Sequence, residues 1–217
     1  TSEVRSALSA WKATAWGSFS ILLFTPLIGA ALALQLPLAP EFQLGLILFC
    51  CMPTTLSSGI ALTIQARGNM ALALLLTVLT NILGVFTLPL VLEQLLERGG
   101  KVELSAGGLL LDLCLSILLP LAFGRLLQSF LAGWIGRHRA HITMASNLAL
   151  ISIPWMKFSQ SAEKLSQLLA SSLILVVLSG VLIHLVYLVF NDGASRLLRL
   201  PLEARKAVVL LASQKTL

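Results

Sequence analysis

Charged side chains are scarce in this sequence, since only 11% of its 217 residues are Asp, Glu, Lys or Arg. Soluble domains carry about 25% charged residues, so the composition excludes a water-soluble fold of this length. Enzyme signatures are also missing, because the chain has no HExxH, GxSxG, P-loop or GxGxxG motif. We therefore predict that the protein is not an enzyme and holds no cofactor or structural metal.

Cysteine is rare, and its positions fit neither a disulfide framework nor a CxxC metal motif. Cys50, Cys51 and Cys114 all fall inside apolar segments, where we expect them to be small packing residues. The net charge of +6 does not indicate a nucleic-acid partner, because the Lys and Arg residues lie in short loops and not on one stripe with aromatic residues.

Apolar residues are abundant, at 57% of the chain with a mean hydropathy of +0.94. The lipid bilayer is the solvent that this surface requires, and its core of ~30 Å needs about 20 helical residues. The apolar runs predict full spans at 15–35, 42–65, 70–95, 109–131 and 168–190, a shorter one at 143–158 and a partial one at 204–217. We therefore predict an all-α integral membrane protein, with one transmembrane domain over 1–217.

Loop charge predicts the orientation. With these spans, ten of the fifteen Lys and Arg residues lie on the side of Thr1, four lie on the other side, and Lys215 falls in the last run. Positive loops stay in the cytoplasm-like compartment, so Thr1 is expected to face it. Because an apolar run stops at Leu217, partway through a bilayer, we expect the chain to be a fragment that is truncated at both ends.

A polar segment interrupts the second span. Pro53 removes a backbone donor, so the helix must break or kink there. Hydroxyl residues follow at once, and free carbonyls and hydroxyls are costly in hydrocarbon unless they line a cavity or coordinate an ion. A proline kink with hydroxyls bonded to the preceding turn is the simpler alternative. We favour a binding site, formed by Pro53, Thr54, Thr55, Ser57 and Ser58.

Two further polar groups lie within spans. Thr77, Thr80 and Asn81 share helical spacing in the third span, where Asn81 could complete an ion shell or make an interhelical hydrogen bond. The last run ends in a second polar segment with Lys215, and a lysine within a span usually faces a pathway or partner. Its members are Ser213, Gln214, Lys215 and Thr216. His184 lies in an apolar helix, where helix packing is a better explanation than a proton relay.

The spacing of the two polar segments predicts an internal repeat. Two broken helices in corresponding positions are typical of inverted-repeat transporters, in which half-helix ends bind substrate and ions near the midplane. The segments lie on the second and the seventh spans, five apart, so equivalent helices cross in opposite senses. We predict crossed discontinuous helices in a ten-helix protein, of which this chain supplies about six full helices and the start of a seventh.

The runs Phe49–Gly59, Ala66–Asn69 and Ser213–Leu217 resemble the bile acid:sodium symporter superfamily, especially its SBF-like branch and the plant and algal plastid sodium/metabolite cotransporters. The resemblance implies a panel and a core domain. Its fourth and ninth helices would be unwound at 53–58 and 213–216, with Thr77, Thr80 and Asn81 near the first ion site. It also implies a multi-pass protein of the plastid envelope, or otherwise of a bacterial-type plasma membrane.

Three departures bear on the coupling ion. Where sodium-coupled relatives have a glutamate, an asparagine and a Gly-Gly pair, this chain has Leu210, Lys215 and Thr54-Thr55. A fixed ammonium would repel a bound cation. It could replace one sodium ion, pair with an anionic substrate, or lose its proton and couple transport to protons. We expect sodium dependence to be weakened or absent.

We therefore predict a secondary transporter of a small organic anion, with Na⁺ or H⁺ as the candidate coupling ion. One alternative is a membrane regulator of calcium entry without metabolite transport, since some SBF-like relatives resemble such regulators. A cation/proton antiporter is a third possibility, and it would require a buried carboxylate at the midplane.

Overall fold

Every regular element of the described chain is helical. The computed structural model describes residues 11–55, 58–98, 106–166 and 170–215. The helices are α1 (Trp11–Gln35), α2 (Pro40–Cys51), α3 (Ser58–Gln65), α4 (Met70–Arg98), α5 (Ala106–Leu113 and Leu119–Arg137), α6 (Arg139–Ser166), α7 (Ala170–Leu197) and α8 (Leu202–Ser213). Two π-helical turns lie within α1 and α5, at Ser20–Phe24 and Cys114–Leu118. No strand occurs over these ranges, which confirms the all-α prediction.

The chain divides into two compact units. The first comprises Thr1–Cys114 and Leu175–Leu217, and the second comprises Leu115–Ile174. The first unit contains α1 to α4, most of α7, and α8, and therefore both polar segments. The second contains most of α5 and α6, and nearly all of its described side chains are exposed. The prediction of one transmembrane domain over 1–217 stays a prediction.

Four helices of the described chain are long and apolar enough to cross a membrane. They are Trp11–Gln35, Met70–Leu95, Gly107–Gln128 and Ala170–Leu197, and they coincide with four of the five predicted full spans. The fifth, 42–65, contains two short helices, α2 and α3, and residues 53–55 after α2 are non-helical. The predicted short span 143–158 lies inside the longer α6. The predicted run 204–217 is helical only as far as Ser213, because the polar segment that follows ends the helix.

Two apolar clusters hold the first unit together. One joins α1, α2, α4 and α7, and includes Ala33, Ile47, Leu88 and Ile183. The other joins α1, α4 and α8 and includes Ile21, Leu72, Leu76, Val208 and Leu211. Cys50 and Cys51 are buried free thiols in the first cluster, while Cys114 is partly exposed. Alanine recurs in both clusters because small side chains let membrane helices approach closely.

Buried polar bonds also join α1 to α7. The Ser20 hydroxyl donates to Asn191 Oδ1 at 2.6 Å, and the Asn191 amide donates to the Tyr187 carbonyl at 2.9 Å. The Tyr187 hydroxyl donates to the Thr25 carbonyl at 2.6 Å. Each buried group is paired, so this contact fixes α7 against the first helix at little desolvation cost.

The turns at one end of the first unit meet near the start of α8. The Asn69 N–H donates to the Glu203 carbonyl at 3.0 Å, and Lys206 Nζ donates to the Ala66 carbonyl at 2.8 Å. Arg205 forms an ion pair with Asp192 at 3.2 Å. The basic residues of the α3–α4 turn and of the start of α8 therefore lie at the same end of the first unit, as the predicted distribution of loop charge requires.

Candidate functional site

The first break lies between α2 and α3. Met52 leaves the helix with extended backbone (φ −62°, ψ 143°), and its N–H donates to the Phe49 carbonyl at 3.2 Å. Extended backbone is what a residue before a proline adopts, so Pro53 ends α2 here. Residues 53–55 are non-helical and α3 begins at Ser58. The predicted site residue Ser57 lies outside the described residues.

The hydroxyls after Pro53 have two different environments. The Thr55 and Ser58 hydroxyls bond to each other, and Thr55 Oγ1 also accepts the Gly59 N–H at 3.4 Å. Thr54 is only 2% exposed, and its Oγ1 is buried without a hydrogen-bond partner. The Thr55–Ser58 pair therefore caps the start of α3, whereas Thr54 presents an unpaired oxygen to the interior.

The predicted α4 group lies against this break. The Asn81 amide donates to the Thr54 carbonyl at 3.2 Å and to the Thr77 carbonyl at 2.8 Å. Asn81 therefore makes a hydrogen bond between two elements, and its role in an ion shell stays a prediction. Thr77 and Thr80 are at most 1% exposed, and both hydroxyl oxygens are buried without a partner. Together with Thr54, they give α4 and the first break three unpaired buried oxygens.

The second break follows α8. Gln214 is extended (φ −86°, ψ 125°), and its N–H donates to the Leu210 carbonyl at 3.1 Å. The Ser213 hydroxyl bonds back to the Val209 carbonyl at 2.7 Å, as serine often does in membrane helices. The side-chain oxygen Oε1 of Gln214 is buried without a partner. The predicted site residue Thr216 lies outside the described residues.

The two breaks meet at Gly59. A Cβ atom at this glycine would lie 2.6 Å from Leu211 Cδ2, 3.4 Å from Gln214 Oε1 and 3.6 Å from Thr54 Oγ1. Only a glycine leaves room for α8 at this distance. The unpaired oxygens of Thr54 and Gln214, one from each broken segment, therefore face the same small region.

Lys215 connects the second break to α1. Its Nζ donates to the Ile21 carbonyl at 3.0 Å, and the residue is only 8% exposed. The acceptor is available because of the π-helical turn at Ser20–Phe24. The Thr25 N–H bonds to the Ser20 carbonyl, five residues back, and Pro26 has no N–H to make the corresponding bond to Ile21.

A cavity of about 350 Å³ opens beside these segments. Its polar lining comes from both breaks and from α7, while Phe49, Gly180 and Ile183 supply apolar wall. The polar residues are Thr55, Ser58, His184, Tyr187, Ser213, Gln214 and Lys215. The cavity thus combines one ammonium, one imidazole and several hydroxyl and amide groups, a set suited to a small anion.

Sequence reasoning missed two contributors to this region, the Ile21 carbonyl and Tyr187, and it assigned His184 to helix packing. Pro26 in an apolar span was a signal for the first, since proline frees carbonyls one turn earlier. His184 donates from Nδ1 to the Ser213 carbonyl at 3.0 Å, so it bonds the end of α8 rather than a Ser or Thr side chain. No signal in the sequence pointed to Tyr187 as a lining residue.

The chemistry of the site is that of oxygen ligands and one cation. Among the described residues, no group of three or more His, Cys, Asp or Glu side chains could hold a metal ion, and no carboxylate is among the buried side chains. A transition-metal centre needs such ligands, whereas sodium takes oxygen ligands like other hard cations. The antiporter alternative requires a buried carboxylate, and none is present among the described residues.

Comparisons with known proteins agree with this geometry. A model of the SBF-like CPA transporter family matches residues 1–217. The probable sodium/metabolite cotransporter BASS4, chloroplastic, of Oryza sativa is 38% identical over all of this chain and 54% of its own length. Its Arabidopsis thaliana namesake is 35% identical, over all of this chain and 52% of its own length. The uncharacterized sodium-dependent transporter YocS of Bacillus subtilis is 24% identical over 85% of this chain and 56% of its own length.

The chain spans about half the length of the curated relatives it matches. The family match covers it from end to end, and the non-helical residues 53–55 and 214–215 lie within the segments that the resemblance predicted to be unwound, whereas Ser58 and Ser213 are helical. This multi-pass membrane protein belongs to the SBF-like CPA transporter family of the bile acid:sodium symporter superfamily.

Proposed function

We propose that the protein is a secondary transporter of a small organic anion, which binds where the two broken segments meet. One observation carries the proposal: the Lys215 ammonium is buried at this point and bonded to the Ile21 carbonyl at 3.0 Å. Among the described residues the bond partner of this ammonium is a neutral carbonyl, so its charge stays uncompensated. An anion in the adjoining cavity would compensate it.

The same charge opposes a cation nearby. Two unit charges 4 Å apart interact by roughly 4 kcal/mol at an effective dielectric of 20. We therefore propose that Lys215 replaces one coupling ion. Its ammonium takes a backbone carbonyl as a sodium ion would, but it stays with the protein during the transport cycle. Sodium dependence would then be weaker than in a carrier with two sodium sites.

The proposal includes one sodium site in addition to the Lys215 ammonium. The oxygens of Thr54, Thr77, Thr80 and Gln214 are buried without partners. An unpaired buried polar group costs about 1–3 kcal/mol, and a bound sodium ion would satisfy several of them together. The names of the relatives describe sodium/metabolite cotransport, which supports this arrangement. A proton is the other candidate coupling ion.

The two breaks suggest how the carrier works. Both lie in the first compact unit. We propose that the first unit belongs to the core, which binds substrate, that the second belongs to the panel, and that the carrier works by a rocking motion of its core bundle. By analogy with the relatives, the membrane is a plastid envelope or a bacterial-type plasma membrane.

Uptake into proteoliposomes tests the proposal. Candidate organic anions are offered to the purified protein under a sodium gradient, a proton gradient or neither, with protein-free liposomes as the control. We expect saturable uptake of an anion, with less than full dependence on sodium. No uptake of any anion in any gradient would contradict transport and favour the regulatory alternative.

Cysteine accessibility separates the two functions independently. Single cysteines at 54, 55 and 58 are treated with a water-soluble thiol reagent in a variant that lacks Cys50, Cys51 and Cys114. A transporter requires water to reach these positions, and its substrate should slow their reaction. A regulator needs only an intact surface, so unreactive cysteines would argue against a transport pathway here.

A further inference from the structure

We propose that His184 is the proton-binding residue of this carrier, and that the substrate anion enters the cavity together with a proton on His184 Nε2. The inference rests on the proposed transport function and adds a coupling residue outside the two broken segments. His184 lies in the middle of α7, lines the cavity of about 350 Å³ and faces the end of α8.

The hydrogen bond of His184 fixes which nitrogen can take up the proton. A backbone carbonyl only accepts, so the contact of 3.0 Å between Nδ1 and the Ser213 oxygen requires a proton on Nδ1. The ring is therefore neutral when Nε2 is free and cationic when Nε2 is protonated.

The groups around His184 make its charge depend on an anion. Ser213 is the last residue of α8, and the carbonyl end of a helix favours a nearby cation. Lys215 lines the same cavity and disfavours a second positive charge. Among the described residues, the other titratable groups near the cavity are Tyr187 on the same helix and Cys50 and Cys51 at the end of α2, which interact with Lys215. The lining residues include no carboxylate.

Two cations in one cavity bind an anion better than one does. When a carboxylate lies beside Lys215, the repulsion between Lys215 and a protonated His184 is offset, and the carboxylate attracts the second proton. By linkage, protonation strengthens anion binding by the same factor as the anion strengthens protonation. The proton also cancels one negative charge of the substrate, so the net negative charge that crosses the membrane in each transport cycle is smaller by one.

His184→Gln tests the proposal, because glutamine retains an N–H for the Ser213 carbonyl but cannot become cationic. Uptake of radiolabelled succinate and gluconate into proteoliposomes is measured from pH 5 to pH 8 at sub-saturating concentration. In the native protein we expect uptake to fall as the pH rises, by up to about tenfold per pH unit, because each anion enters with one proton. In His184→Gln the pH dependence should be lost, and uptake should be weaker than that of the native protein at pH 5.

The other two histidines provide matched controls. His138 and His141 lie at the exposed α5–α6 turn, and His138→Gln and His141→Gln should keep the native pH profile. A native pH profile in His184→Gln overturns this inference alone. Absence of uptake by the native protein at every pH overturns the proposed function, and this inference with it.

A measurement on the native protein covers the case in which His184→Gln does not fold. Diethyl pyrocarbonate modifies neutral imidazoles, and mass spectrometry of peptides locates the modified residues. The inference predicts that succinate slows modification of His184, and that it leaves the rates at His138 and His141 unchanged. Equal rates at His184 with and without succinate would overturn it.

Discussion

Replacing Gly59 by alanine tests whether the two broken segments meet as the structure has them. Gly59 is buried in the first turn of α3, and the added methyl carbon would lie 2.6 Å from Leu211 Cδ2. Carbon atoms in contact are about 3.5–4.0 Å apart, so one of the two elements must move. Leu211 is fully buried and has little freedom to turn away.

The cost of this substitution follows from the size of the overlap. Extra methyl groups in a well-packed core cost about 1–3 kcal/mol. The methyl group would also lie 3.4 Å from Gln214 Oε1, so the substitution places a carbon atom beside a polar side chain of the second break. We therefore expect Gly59→Ala to lower stability by ~2 kcal/mol and to impair substrate binding.

Thermal unfolding in detergent and uptake in proteoliposomes measure the two effects. Gly45→Ala is the control, because a Cβ atom at Gly45 in α2 meets nothing within 4 Å. Alanine is favoured over glycine within helices by about 0.5–1 kcal/mol, so this variant should be at least as stable as the native protein. A double variant with Leu211→Ala measures the coupling, and we expect Gly59→Ala to cost less in that background.

Two outcomes would refute the reasoning. If Gly59→Ala is as stable as Gly45→Ala, then α3 and α8 do not approach as closely as described. If its cost is the same with and without Leu211→Ala, then the cost does not come from this contact.

Two further predictions concern the stability of the first unit. Asn81→Leu removes the donor to the Thr54 and Thr77 carbonyls and should cost about 1–3 kcal/mol in thermal unfolding. Asn147→Leu on the exposed face of α6 should be nearly neutral, and equal effects would contradict the role given to Asn81. Arg199 has a positive φ of 54°, so Arg199→Gly should stabilise by about 1 kcal/mol. Arg196→Gly within α7 should destabilise by a similar amount, and a loss of stability in Arg199→Gly would argue against the strained backbone.

The sequence was sufficient to predict features that depend on local chemistry. Because proline lacks an N–H and cannot continue a helix, Pro53 predicts a helix end, and α2 ends two residues earlier, at Cys51. The hydrophobic runs likewise predicted where four long helices lie. The predicted break within 42–65 is confirmed, because α2 ends at Cys51 and residues 53–55 are non-helical.

Long-range contacts could not be predicted in the same way. Lys215 and the Ile21 carbonyl are 194 residues apart in the chain, and their contact depends on how α1 packs against α8. The polar pattern identified Lys215 as important but left its partner open. His184 has only apolar neighbours in the sequence, so helix packing was the natural expectation until α7 was placed beside the end of α8.

The ion dependence of a Lys215→Asn variant tests the central claim most directly. Lys206→Asn is the matched control, because Lys206 lies on α8, the helix that precedes Lys215, and its ammonium also bonds a backbone carbonyl, that of Ala66 at 2.8 Å. Uptake of the substrate anion is measured against sodium concentration in the native protein and both variants. If Lys215 replaces a coupling ion, Lys215→Asn alone should become more dependent on sodium or lose transport. Unchanged uptake and unchanged ion dependence in Lys215→Asn would contradict the account.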